Sequence, residues 1–196
     1  MPGTRGRRSD AEVVAAVHTA VVEEVITVGM GKLTMDGIAQ RAGIAKTSLY
    51  RRWDSPQAIL LDALGAEFPQ ESPTAAPTGD LRGDLIAALR LMVTWLATPT
   101  ARATGAILAE RERYPELAQA IYTRVFEPKG GRFTSTVLRH YATIGRIDPA
   151  RLTPVVLDIG EALVLKFSFD SGALPDEQTL TDIVDQAILP AVGGLG

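Results

Sequence analysis

No cysteine occurs in the 196 residues, which excludes a disulfide framework, a thiolate metal or iron–sulfur site and a cysteine nucleophile. Histidine is nearly as scarce: His18 and His140 are far apart, and neither follows a carboxylate by three positions, so the Glu-x-x-His pairs of di-iron bundles are missing. Long hydrophobic runs are lacking too. A spanning helix needs about 18 consecutive apolar residues, and the best stretch, 13–28, is broken by His18, Thr19, Glu23, Glu24 and Thr27. No glycine loop ending in Lys-Ser/Thr and no Gly-x-Ser-x-Gly is present, and Gly29-Met30-Gly31 has neither the preceding strand nor the further glycine of a dinucleotide fingerprint. These absences argue against an enzyme, a metal site or a cofactor. The basic start Arg5-Gly6-Arg7-Arg8 runs into Ser9-Asp10-Ala11-Glu12 where a signal peptide would turn apolar, so an unsecreted, cytoplasmic protein without a membrane span is expected.

What is present is unevenly charged. The formal charge is -3, yet residues 1–54 carry eight basic side chains against six acidic ones, while 55–196 carry twelve against seventeen. A basic N-terminal part on an acidic remainder suggests that one end meets a polyanion.

Proline and glycine punctuate a chain that otherwise reads as helix throughout, so the expected fold is all-α. Ser9 and Glu12 form a capping box, and Val14, Val17, Val21, Val25 and Val28 then recur at helical spacing, predicting a helix over 10–28 closed by Gly29. Thr34 caps a short second helix with Asp36 in its first turn; Gly43 ends it, and a third helix is predicted to run to about 53. Ser55-Pro56 opens a fourth, to about 64. Three prolines, Pro69, Pro73 and Pro77, make 65–80 a linker or loop. Beyond it, helices are expected near 81–97, capped by Asp80, and near 100–113, 115–127, 131–144, 154–170 and 176–189. The expected division is thus an N-terminal domain 1–64 with a basic arm 1–8, the linker 65–80, and a C-terminal domain 81–196.

The stretch 34–53, TMDGIAQRAGIAKTSLYRRW, has the spacing of a helix-turn-helix. Ile38 and Ala39 face inward, the small Ala39 letting the second helix approach; Gly43 marks the reversal; Ile44, Leu49 and Trp53 return to the core. Lys46, Thr47, Ser48, Tyr50, Arg51 and Arg52 remain on the outside. Cations neutralise phosphates, and hydroxyls bond phosphate oxygens or base edges. The arm with Arg5, Arg7 and Arg8 is placed to reach an adjacent groove.

Over 9–64 these residues resemble the tetracycline-repressor-like (TetR) transcriptional regulators: a long first helix, Ile-Ala-Gln-Arg-Ala-Gly-Ile at 38–44, Lys-Thr-Ser-Leu-Tyr-Arg-Arg-Trp at 46–53, and a Ser-capped fourth helix. The resemblance implies a homodimer whose two recognition helices enter successive major grooves of a near-palindromic operator, with repression as its action. Carried over by position, Lys46, Thr47 and Ser48 meet bases or nearby phosphates, Tyr50 and Arg51 the backbone, and Thr34 joins the DNA set; Arg52 sits at the rim. The chain departs from the pattern twice. Ala45 stands where a Ser or Thr cap is usual, and Pro56 where a phosphate-touching Lys is frequent.

Residues 81–189 resemble the family's ligand-binding and dimerisation domain through Tyr-Pro-Glu-Leu-Ala (114–118), Pro128 and Leu-Thr-Pro (152–154). The segments 154–170 and 176–189 are apolar over more of their girth than one core needs, so pairing with a second copy is expected, through Leu163, Phe167, Ile183 and Ala187. Space between helices could hold a small-molecule effector, lined by Met92, Trp95, Leu108, Tyr122, Phe126, Phe133 and Tyr141. The alternative is a helix-turn-helix protein whose C-terminal domain serves only dimerisation or partner binding.

Overall fold

A computed structural model describes residues 9–69, 78–129 and 133–193. All its regular elements among these residues are helical, as the sequence predicts. The packing divides them into two compact units, one containing 9–68 with 99–125 and the other 78–98 with 126–193. The first unit therefore takes a segment from beyond the linker.

In the first unit α1 (Asp10–Val28) is the central helix, packed on α2 (Met35–Ala42), α4 (Pro56–Glu67) and α6 (Pro99–Ala109). Its capping box forms as predicted: Ser9 N–H donates to Glu12 at 2.6 Å and Glu12 N–H to Ser9 Oγ at 3.3 Å. Val17, Val21 and Val25 are buried along one face. Gly29 closes the helix at φ 77°, and a 3-10 turn, Met30–Lys32, leads to Thr34, whose hydroxyl caps α2 by accepting from Gly37 N–H at 3.0 Å. Gly43 has φ 66° and ψ 40°, a left-handed conformation that costs a side-chain-bearing residue about 1–2 kcal/mol.

The third helix, α3 (Lys46–Tyr50), is shorter than the expected run to 53. Arg52 and Trp53 N–H groups both turn back onto the Leu49 carbonyl, tightening the end as helix termini commonly do. By contrast α4 outlasts its expected end at 64. Gly65 is a modest helix cost, and the helix stops only where Pro69 forces Phe68 into extended geometry (ψ 138°).

In the second unit α5 (Leu81–Leu96) packs on α8 (Phe133–Thr143), α9 (Pro154–Ser171) and α10 (Glu177–Ile183). Asp80 stands at the start of α5 but makes no capping bond, contrary to expectation. The carboxylate that gathers donors there is Asp84, one turn inside. It is 5% exposed and accepts from Thr78 N–H, from Thr78 Oγ1 at 2.9 Å and from Tyr141 Oη at 2.7 Å. Two bidentate pairs, Arg82 with Asp185 and Arg90 with Glu177, tie α5 to the chain 103 and 87 positions later.

Two expected helices change pitch midway. The 115–127 segment is α7 (Pro115–Ala120) followed by a π-helical turn, Ile121–Phe126. The last one passes from α10 through a π turn, Val184–Ile188, into α11 (Leu189–Val192). Pro190 explains the second case: it donates no hydrogen bond and its ring crowds the carbonyl four residues back, which the wider π turn relieves.

Candidate nucleic-acid interface

The site starts from what holds α3 in place. Leu49 is fully buried, Ile38 likewise, and Trp53 is 9% exposed. Trp53 Nε1 donates to Asp62 Oδ2 at 3.0 Å, and His18 Nε2 meets the same oxygen at 3.2 Å. One carboxylate of α4 thus joins α1 to the end of α3, so His18 has a structural role that its place in the sequence does not reveal.

The α1–α2 junction is fixed by a partly buried charge pair. Glu24 accepts from Arg41 Nε at 2.7 Å, with only 11% of its side chain exposed. The hydrogen bond to Glu24, then the nearby charges of Glu24 and Glu23, hold the Arg41 guanidinium above its ordinary value. A side chain at Gly37 would place its Cβ 2.5 Å from Glu24 Oε1, so the bare glycine makes room for this carboxylate.

On that base α3 presents its outer face. Lys46, Thr47, Tyr50 and Arg51 are exposed, Ser48 is half-buried, and Thr34 stands exposed at the start of α2 while its hydroxyl is used for capping. Arg5, Arg7 and Arg8 lie outside the described residues. Lys46 Nζ lies 2.8 Å from Asp36 Oδ1 and 2.9 Å from Oδ2, and 5.7 Å from the centre of the Tyr50 ring. The hydrogen bond to Asp36 raises the Lys46 ammonium above its ordinary value, partly offset by desolvation. Arg52 pairs with Asp10, the first residue of α1. Arg51 has no carboxylate partner among the described residues. Ala45 starts α3 without a side-chain cap.

The expected effector residues do not all share a unit. Met92, Trp95, Phe126, Phe133 and Tyr141 belong to the second, Leu108 and Tyr122 to the first. Within the second unit Trp95 meets Phe126 edge-on, with ring centres 6.1 Å apart, and lies 6.3 Å from Phe133. Tyr141 is fully buried and committed to Asp84; burial first, then that hydrogen bond, pushes its phenol up to about 12.

Of the expected pairing residues, Leu163 and Phe167 are exposed, Ala187 is half-buried and Ile183 is buried within its unit. Val155 and Phe169, part of the apolar excess expected on 154–170, are 73% and 88% exposed on α9, and Leu165, which sequence reasoning did not single out, is 51% exposed. The excess of apolar positions on this helix was the available signal. Among the described residues no helix is long and apolar enough to cross a membrane, and no cluster of three His, Asp or Glu could hold a metal ion.

Comparison with known proteins agrees with this architecture. Residues 19–63 match the family described as bacterial regulatory proteins, tetR family, and residues 75–187 match the tetracyclin repressor-like C-terminal domain. An uncharacterised HTH-type transcriptional regulator of Mycobacterium bovis is 26% identical over 84% of this chain and 80% of its own. The DNA-binding transcriptional repressor TetR of Mycobacteroides abscessus is 25% identical over 89% of this chain and 91% of its own. Among solved structures, the TetR family transcription regulator SCO0332 is similar with a TM-score of 0.61 at 28% identity, covering 90% of this chain and 97% of that one.

Proposed function

The chain belongs to the TetR family of DNA-binding transcriptional regulators, and from that premise we propose that it acts in the cytoplasm as a homodimeric repressor, binding a near-palindromic operator through α3 and released by a small molecule. The observation that carries the DNA contact is the outward face of α3, where Lys46, Thr47, Tyr50 and Arg51 stand clear of a core sealed by Leu49 and Trp53. Ser48 lies at the edge of that face, Thr34 flanks it from α2, and the Arg5, Arg7 and Arg8 arm adds backbone contacts. Cations in such a set supply salt-dependent affinity, and hydroxyls and the lysine supply base or phosphate contacts.

Dimer formation is supported by the exposed apolar side chains of α9. Phe169, Leu165, Leu163 and Phe167 would be removed from water by a symmetry-related copy, with Ala187 at the flank and Ile183 behind it. Repression follows the reading of the Mycobacteroides relative, which is named a repressor. The effector is proposed to bind beside Trp95, Phe126 and Phe133 in the second unit, where aromatic faces meet, with Met92 adjoining. It works only if it favours the form that does not bind DNA; a preference of about 3 kcal/mol weakens operator binding on the order of a hundredfold.

The test is selection of fragments from genomic DNA by purified protein, followed by anisotropy titrations in varied salt. A folded dimer that enriches a sequence with dyad symmetry, binds it with a steep negative salt slope, and loses it with Lys46→Ala or Tyr50→Phe meets the proposal. Failure of a folded dimer to enrich any sequence overturns it. A compound screen by thermal shift on the same dimer then tests release, since saturation at about a hundred times the dissociation constant stabilises by about 2.7 kcal/mol.

A further inference from the structure

Two of the three cations on 46–52 are engaged by the protein's own carboxylates: Lys46 by Asp36 and Arg52 by Asp10. The first pair matters most, because Lys46 is the first residue of α3, on its outer face, and its partner belongs to the neighbouring helix. Both Asp36 oxygens are within hydrogen-bond distance of Lys46 Nζ, and the Tyr50 ring centre lies 5.7 Å from the same nitrogen. The pair is exposed, with 45% of the lysine and 72% of the aspartate side chain open to solvent, so it adds little to folding. Its consequence lies in binding.

We propose that Asp36 is a specificity-determining positioning residue: it holds Lys46 so that the ammonium is spent on a fixed direction and not on whichever phosphate is nearest. This rests on the proposed use of α3 in the operator. An ammonium has three donors. With one or two held by Asp36, the remainder is aimed rather than free to swing, and only a duplex that puts an acceptor in that direction gains from it. Any duplex presents phosphates, so an unrestrained Lys46 would strengthen binding to all of them. A neutralised lysine also releases no counterion from random DNA. Discrimination is a difference of two affinities, and Asp36 widens it by withholding one cation from the wrong targets.

The experiment compares wild type with Asp36→Asn, Asp36→Glu, Lys46→Ala and the Asp36→Asn/Lys46→Ala double variant. Each is titrated with salt on a random-sequence duplex and on the duplex that the wild-type protein enriches from a random library. Asp36→Asn is expected to steepen the random-duplex slope of log K against log salt by about 0.9 for each recognition helix engaged, which at about 0.1 M salt is about eightfold in affinity. On the enriched duplex it gains nothing, so the specificity ratio falls about eightfold for each helix engaged, about sixtyfold for both. Asp36→Glu keeps the wild-type slope. The Asp36→Asn/Lys46→Ala double variant, which removes both charges together, keeps the wild-type random-duplex slope.

An unchanged random-duplex slope in Asp36→Asn overturns the inference. So does an equal gain on both duplexes, or a double variant whose random-duplex slope steepens as much as that of Asp36→Asn, which would be simple repulsion between Asp36 and DNA. A random-duplex slope that falls by about 0.9 for each helix in the double variant also overturns it, because Lys46 would then already be neutralising a phosphate of random DNA. The underlying reading of α3 fails separately, by Lys46→Ala retaining full affinity for the enriched duplex.

Discussion

Replacing Tyr141 by phenylalanine removes one oxygen from a buried polar contact in the second unit. The ring stays, so no cavity larger than the hydroxyl opens in a site that is fully buried. What is lost is the 2.7 Å bond to Asp84, a carboxylate 5% exposed, which among the described residues keeps only the two donors of Thr78. Hydrogen bonds to charged groups contribute about 1.5–3 kcal/mol, so Tyr141→Phe should destabilise by about 2 kcal/mol and lower the thermal midpoint by about 4–8 °C for a chain of this size. Urea and thermal unfolding followed by circular dichroism would measure it, alongside Asp84→Asn and the double variant to isolate the coupling. Alkaline titration adds a second signature. The Tyr141 phenol is raised from its ordinary value of 10.0 to about 12 in the folded protein. Its contribution is therefore complete below the unfolded value and is lost as pH rises through the folded one. Wild type should lose more stability than Tyr141→Phe between about pH 10 and 12. A variant within about 0.5 kcal/mol of wild type near neutral pH, or one with the same alkaline profile, would refute the assigned bond.

Three other outcomes are expected. Gly43→Ala should cost about 1–2 kcal/mol by its left-handed φ of 66° alone, since a Cβ there meets nothing within 4 Å; chemical denaturation checks it, and no loss would mean the turn is not held in that conformation. Ala45→Ser supplies the missing cap of α3 and should raise stability by about 0.5–1 kcal/mol, read from the melting temperature. Phe169→Glu places a charge on a side chain 88% exposed in the single chain. Sedimentation velocity should show monomer in place of the proposed dimer, with a melting temperature that is lower and no longer rises with protein concentration.

The parts of the fold that follow local rules were legible. Ser9 with Glu12, Thr34, and Ser55 before Pro56 each form the cap that their spacing foretells, and Gly43 adopts the conformation that the helix-turn-helix needs. Asp80 misleads because a cap also requires the side chain to reach the first-turn amides; here Asp84 takes the donors of Thr78 instead. Partners distant in sequence were not legible. Nothing local marks His18 and Trp53 as sharing Asp62, or pairs Arg82 with a residue 103 positions away. For the candidate site, the periodicity of Leu49 and Trp53 revealed which side chains of α3 face out, but not that Asp36 and Asp10 already occupy two of its cations.

The division of the molecule also governs how it can be recombined. Because 99–125 packs with 9–68, a chimera made by a single crossover in the 70–77 stretch would exchange α1 to α4 but leave α6 and α7 with the recipient. The grafted α1 and α4 would then meet a foreign α6 across a surface that has never been matched to them. A transplant of the DNA-reading part into a relative should therefore move two segments together, 9–68 and 99–125, and the residues of α6 facing α1 and α4 are the first place to look when a shorter graft expresses but does not fold.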